Sequence, residues 1–127
     1  MILLDTQTLF WYLTADPKLG SDAKKKLKQS QALYFSSLSI LELESKFFDQ
    51  RISNQRVLRS AALNAGLREL VPSGAELERV GDFPQLAKHD PIDLALMCQA
   101  SWHNATFYTS DRKLLSIGLS WVRDSQS

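Results

Sequence analysis

The sequence predicts an α/β fold: a three-layer sandwich with a short-stranded parallel sheet between helices. Short apolar runs, Ile2-Leu3-Leu4 first among them, are too brief for helices and apolar on both faces, as strands buried in a parallel sheet are. Longer stretches with apolar residues at helical spacing separate them, so strand and helix alternate along the chain. The 127 residues suffice for one domain with a core of its own, read here as residues 1–127 with a polar tail from about 124.

Taken in order, Ile2-Leu3-Leu4 is the first strand and stops at Asp5. Leu9, Phe10, Tyr12 and Leu13 then recur as on a helix, ended by the Ala15-Asp16-Pro17 turn. A helix from Ser21 to Leu27 carries Lys24, Lys25, Lys26 and, just beyond, Lys28, a run that reads as a solvated face. Ala32 to Phe35 is the second strand. Ser39-x-x-Glu42 reads as a capping box opening the next helix, which places Glu42 in its first turn. Phe47 and Phe48 are adjacent and a helix cannot bury both equally well against one core, so either both pack in the core or one lines a groove for a partner helix.

Asn54 to Ala65 is a further helix with Gly66 as its C-cap. Glu69 to Pro72 is a short strand and Ser73 to Val80 a short helix. His89-Asp90-Pro91-Ile92-Asp93 then opens a helix reaching about Trp102. Asp90 suits the N-cap, Pro91 the first helical position, and Asp93 falls third. Taken alone, Asp93 is a capping acid that complements the helix dipole. Thr106 to Thr109 is a strand, Asp111 follows it, and Trp121-Val122 is a last short strand.

Composition narrows the function classes. A net charge of +1 excludes a polybasic binder without excluding RNA as a substrate. The single Cys98 excludes an internal disulfide and a cysteine-cluster metal site. No apolar run approaches the roughly 18 residues of a membrane span, and no leader is visible, so the expected setting is cytoplasmic.

In a parallel α/β sheet every strand presents its carboxyl end on one edge, where ligands bind. Asp5, Glu42, Asp93 and Asp111 all follow strands or open helices, so all four are expected along that edge. Converging carboxylates repel unless protons or cations compensate. Hard oxygen donors with no cysteine and little histidine suit Mg²⁺ or Mn²⁺, and the chemistry suggested is metal-assisted phosphodiester hydrolysis.

Four stretches resemble the motifs of PIN-domain ribonucleases, and most closely the toxins of VapBC-type toxin–antitoxin pairs. They are Leu3-Leu4-Asp5-Thr6 with Trp11, Ser39-Ile40-Leu41-Glu42-Leu43 with Lys46, His89-Asp90-Pro91-Ile92-Asp93, and Tyr108-Thr109-Ser110-Asp111. They stand in family order from residue 3 to 111. The resemblance implies an acidic site of Asp5, Glu42, Asp93 and Asp111 that binds Mg²⁺ or Mn²⁺ and cleaves RNA. It also implies a VapB-like antitoxin as partner, often with homodimer formation. Asp90 is a second-rank candidate; Lys46 can pair with Glu42 or meet a substrate phosphate, and Arg112 reads as part of a solvated turn or as a source of phosphate affinity. His89 reads as a surface-loop histidine without catalytic duty, with RNA contact or proton transfer as the alternative. Two positions depart from the family: Gln7 where relatives often carry His, and Leu94 where they often carry Arg.

Other readings fit less well. A haloacid-dehalogenase-type phosphatase needs Asp-x-Asp where this chain has Asp5-Thr6-Gln7, and a receiver-like module needs an aspartate near Leu70 to Ser73 that is absent. A housekeeping PIN-type RNA-processing nuclease and a catalytically inactive PIN-like binding module stay open as alternatives.

Overall fold

The computed structural model describes residues 1–46 and 57–127. The Phe47–Phe48 groove and the start of the helix expected from Asn54 lie outside the described residues. Five parallel strands form one sheet in the order β3-β2-β1-β4-β5: β1 Ile2–Leu4, β2 Leu33–Ser36, β3 Arg68–Leu70, β4 Thr106–Thr109 and β5 Val122–Asp124. Ile2 stands opposite Leu33 on one side and Thr106 on the other, so β1 lies at the centre. A strand flanked on both sides and covered on both faces has no use for polar residues, which is why Ile2-Leu3-Leu4 does not alternate.

The strand period of two divides the core. Leu3 and Phe107 point to one face, where they meet Leu94, Leu96, Met97 and Ala100 of α6 (Pro91–Trp102) and Leu114 of α7 (Arg112–Ser116). Their neighbours Leu4 and Tyr108 point to the other. There they pack with Leu9 and Trp11 of α1 (Thr6–Thr14), Ala23 and Leu27 of α2 (Ser21–Gln29), Leu43 of α3 (Ser37–Lys46) and Ala62 of α4 (Leu58–Asn64). The three expected layers are present. Among the described residues no helix is long and apolar enough to cross a membrane.

Strand order explains which face each helix takes. From β1 the chain steps outward through β2 to β3, then returns past β1 to β4 and continues outward to β5. With right-handed crossovers, that reversal sends α1 to α4 to one face and α6 and α7 to the other. The switch point falls between the carboxyl ends of β1 and β4, the place where open α/β sheets leave a crevice.

Several boundaries differ from expectation for identifiable reasons. The helix α3 begins at Ser37, directly after β2, with the Ser36 hydroxyl accepting from the Leu38 N–H at 3.1 Å. Ser39 is therefore inside the helix, where its hydroxyl accepts from Thr6 Oγ1 at 3.0 Å and ties α3 to α1. The Ser39–Glu42 capping box does not form, and Glu42 lies in the second turn rather than the first. The short helix after β3, α5 (Gly74–Leu77), tightens into 3-10 turns at Glu78–Asp82 and Pro84–Leu86. Its capping box is Ser73 with Glu76. Gly66, with φ of +92°, closes the turn after α4 as expected.

The polar end of the chain is held in place. Ser125 N–H donates to Thr109 O, Gly20 N–H donates to Ser125 O, and Ala23 N–H donates to Ser127 O. Any side chain at Gly20 would collide with the backbone of Gln126 and Ser127. Glycine is needed there for close approach rather than for a turn.

Candidate functional site

Asp5 ends β1 at the switch point and is 4% exposed. Its Oδ1 accepts from the Thr8 N–H at 2.7 Å and so caps α1. Its Oδ2 accepts from Thr109 Oγ1 at 2.6 Å and from the Ser110 N–H at 3.4 Å. Burial pushes the Asp5 carboxyl above its ordinary range, and the hydrogen bonds from Thr109, Thr8 and Ser110 oppose that shift. Both oxygens are engaged, which makes Asp5 the floor of the site.

Thr109, the last residue of β4, joins this floor to the rim. While its hydroxyl donates to Asp5, it accepts from the Asp111 N–H at 3.0 Å. Asp111 then divides its carboxylate. Oδ1 caps α7 by accepting from the N–H groups of Lys113 at 2.9 Å and Leu114 at 3.1 Å, which leaves Oδ2 to face the crevice.

The N-terminus of α6 supplies the opposite wall. Asp90 is its N-cap, with Oδ1 accepting from Ile92 N–H at 2.8 Å and Asp93 N–H at 3.2 Å. Because Asp90 does the capping, the carboxylate of Asp93 is released from that duty. It projects into the crevice, half-buried. Burial first, then the charges of Asp5, Asp90, Asp111 and Glu42, push Asp93 up to about 7. A carboxylic acid that ionises near neutrality, crowded by four other acids, marks a place short of positive charge.

His89 stands between the two rim carboxylates. The 3-10 turn ending at Leu86 aims its ring inward, where Nε2 lies 3.2 Å from Asp93 Oδ2 and 3.1 Å from Asp111 Oδ2. Its side chain is 14% exposed, far from the free loop residue the sequence suggests. Among the described residues, His89, Asp93 and Asp111 are the group whose donor atoms all lie within 4.8 Å of one another. Two carboxylate oxygens and an imidazole nitrogen form a donor set that suits a divalent cation.

Of the four acids expected to converge, Asp93 and Asp111 thus meet with His89. Asp5 lies beneath them, bound to Thr109. Glu42 stands across the crevice on α3, close enough for its charge to raise Asp93. Glu42 also lines a 290 Å³ cavity between α1 and α3, together with Thr6, Gln7, Phe10, Leu43 and Lys46. Lys46 is therefore at the site's margin. Arg112 is not: its guanidinium reaches Asp124 at 2.9 and 2.7 Å and Gln126 at 3.0 Å. Leu94, where relatives often have Arg, is buried in the core beneath α6.

Two residues of the site, His89 and Thr109, were not singled out by the sequence as site residues. Both stand inside the third and fourth motifs, next to acids that were. Spacing alone does not say which neighbour of an acid points the same way as the acid.

A parallel sheet whose switch point is lined by carboxylates from β1, α6 and the β4–α7 turn defines a class of acidic-site α/β proteins. The PIN-domain sequence profile matches residues 2–118. The chain belongs to the PIN-domain family. Solved structures show the same fold. VapBC2 from Rickettsia felis, bound to a DNA fragment from its promoter, is similar at 18% identity and a TM-score of 0.73, with 98% of each chain covered. A toxin–antitoxin complex from Klebsiella pneumoniae is similar at 17% identity and a TM-score of 0.68, covering 97% of this chain and 96% of that one. VapC20 of Mycobacterium tuberculosis, a toxin that cleaves the sarcin–ricin loop, is 18% identical with a TM-score of 0.63, covering 97% of this chain and 99% of that one. No individually curated protein sequence matches the chain.

Proposed function

We propose that this protein is a metal-dependent endoribonuclease, the toxin of a type II toxin–antitoxin pair, acting in the cytoplasm under the control of a VapB-like antitoxin. The observation that carries the reading is the meeting of Asp93, Asp111 and His89 above buried Asp5, at the sheet's switch point. Further support comes from the similar structures, which are toxins and toxin–antitoxin complexes. Homodimer formation fits the same family pattern.

In this reading Asp93 and Asp111 hold a divalent cation, Mg²⁺ or Mn²⁺, with Glu42 contributing from α3 and Asp5 beneath. When bound, such an ion supplies positive charge to a phosphate oxygen and acidifies water for attack on phosphorus. The chain's own residues do the positioning. Thr109 fixes Asp5 and Asp111 relative to each other, and the Asp90 cap sets the direction of the first turn of α6 and with it Asp93. Asp90 therefore has a structural role, with its charge adding to the pull on a cation. Lys46, on the cavity wall beside Glu42, is the candidate for a phosphate contact, and Arg112 is bound to Asp124.

The test is cleavage of structured RNA by purified protein with Mg²⁺ or Mn²⁺, with EDTA, and with the Asp93→Asn variant. Cleavage that disappears with EDTA and with Asp93→Asn is the expected result. A folded wild-type chain that cleaves no RNA, or cleavage that survives both controls, defeats the reading.

A further inference from the structure

His89 was given no role of its own in the hydrolysis set out above, yet its ring stands between the two rim carboxylates. Its Nε2 is 3.2 Å from Asp93 Oδ2 and 3.1 Å from Asp111 Oδ2. Those separations suit hydrogen bonds. They are also close to the spacing of adjacent donors around a six-coordinate ion with ligands near 2.1 Å, about 3.0 Å apart at right angles. With the donor atoms of His89, Asp93 and Asp111 all within 4.8 Å of one another, one cation can engage all three.

We propose that His89 is a nitrogen donor to the bound divalent ion, and that this chain consequently holds Mn²⁺ in preference to Mg²⁺. The inference rests on the reading that the Asp93–Asp111 cluster binds a divalent cation. Mg²⁺ is a hard ion that loses its waters reluctantly and takes oxygen donors. A first-row transition ion gains more from an imidazole nitrogen, and an all-carboxylate site would forgo that discrimination. The position of His89 is built rather than accidental. The hydrogen bond from His89 N–H to Leu86 O at 2.9 Å closes the turn that follows the 3-10 segment, and Leu86 is fully buried. Asp90 then starts α6 at the next residue, so the backbone on both sides of the ring is fixed.

The chain has two histidines, which makes a spectroscopic test decisive. The other, His103, is paired with Glu76 at the far end of α6. Pulsed electron paramagnetic resonance of untagged wild-type protein loaded with Mn²⁺ should show coupling to one ¹⁴N nucleus. The coupling should persist in His103→Gln and vanish in His89→Ala. Titration calorimetry should find Mn²⁺ bound at least about tenfold more tightly than Mg²⁺, and His89→Ala should remove about that factor for Mn²⁺ with little change for Mg²⁺. Mn²⁺ bound without nitrogen coupling, or a His89→Ala loss equal for both ions, overturns the assignment and leaves His89 as a hydrogen-bonding clamp. A wild-type chain that binds neither ion overturns the metal reading itself.

Discussion

The two ends of α6 carry the same ingredients, a histidine against carboxylate, and use them differently. At the C-terminal end His103 Nε2 lies 2.8 Å from Glu76 Oε1, while Glu76 Oε2 accepts from the Ser73 N–H at 2.8 Å. One imidazole meets one carboxylate, both carboxylate oxygens are satisfied, and the pair fastens α5 to α6. Arg79 strengthens that join through Ser101 at 3.2 Å and by lying over the Trp102 ring. At the N-terminal end one imidazole faces two carboxylates, with Asp5, Asp90 and Glu42 adding negative charge around them. The first arrangement is complete as it stands. The second is short of positive charge, and the deficit is what makes it a candidate site.

The strongest way to break this comparison is Asp93→Asn, which removes one charge and one donor from the crowded end. RNA cleavage should fall by about a thousandfold or more, while the metal-free fold should be no less stable than wild type. The stability half of that statement has a defined pH dependence. In the folded chain Asp93 is pushed up from an ordinary 3.8 to about 7, so between those values the folded state binds more protons than the unfolded one. Stability contributed in this way is present at low pH and is lost as pH rises toward 7. Melting curves of metal-free wild type should therefore decline from pH 5 to pH 7.5 more steeply than those of Asp93→Asn. Added Mn²⁺ should restore the loss at pH 7.5, and EDTA should reverse the restoration.

Thr109→Val sharpens the comparison without touching a carboxylate. It deletes the hydroxyl that donates to Asp5 and receives from Asp111. Denaturant unfolding should show a loss of about 1–3 kcal/mol for the buried hydrogen bonds. Cleavage under folding conditions should drop by about tenfold or more, since misplacing catalytic groups is costly. His103→Leu tests the other end. It leaves the buried Glu76 carboxylate with the Ser73 N–H alone, so stability should fall by about 1–3 kcal/mol while cleavage per folded molecule stays near wild type. A comparable loss of cleavage would mean that the two ends of α6 are coupled. The smallest effect belongs to Arg112→Ala. An exposed pair with Asp124 contributes little, and cleavage should change by no more than about twofold.

Much of this molecule is legible in the order of its residues. The apolar doublets Leu3-Leu4 and Phe107-Tyr108 announce strands covered on both faces, because neighbouring side chains on a strand point oppositely. The Asp90-Pro91 start of α6 is equally plain, since an N-cap acid followed by proline satisfies the first turn locally. Ser39-x-x-Glu42 is the instructive failure. It has the form of a capping box, but α3 starts directly from β2, and the hydroxyl meant for a backbone N–H bonds Thr6 instead. Local chemistry offers a cap; the docking of α3 against α1 decides whether it is used.

The same division holds for the site. Strand and helix periods, caps and the right-handed crossover rule depend on residues near one another in the chain, so the sequence by itself determines the sheet, its layers and the edge where Asp5 and Asp111 emerge. Which donors meet across that edge depends on packing between segments far apart. Asp93 and Asp111 are 18 positions apart and approach because the N-terminus of α6 and the turn after β4 meet at one edge of the sheet. His89 joins them because a 3-10 turn anchored by buried Leu86 aims its ring inward. Arg112, beside Asp111 in sequence, is drawn away by Asp124 on β5. A side chain's direction from a turn is set by the tertiary contacts around it, and only the folded structure contains them.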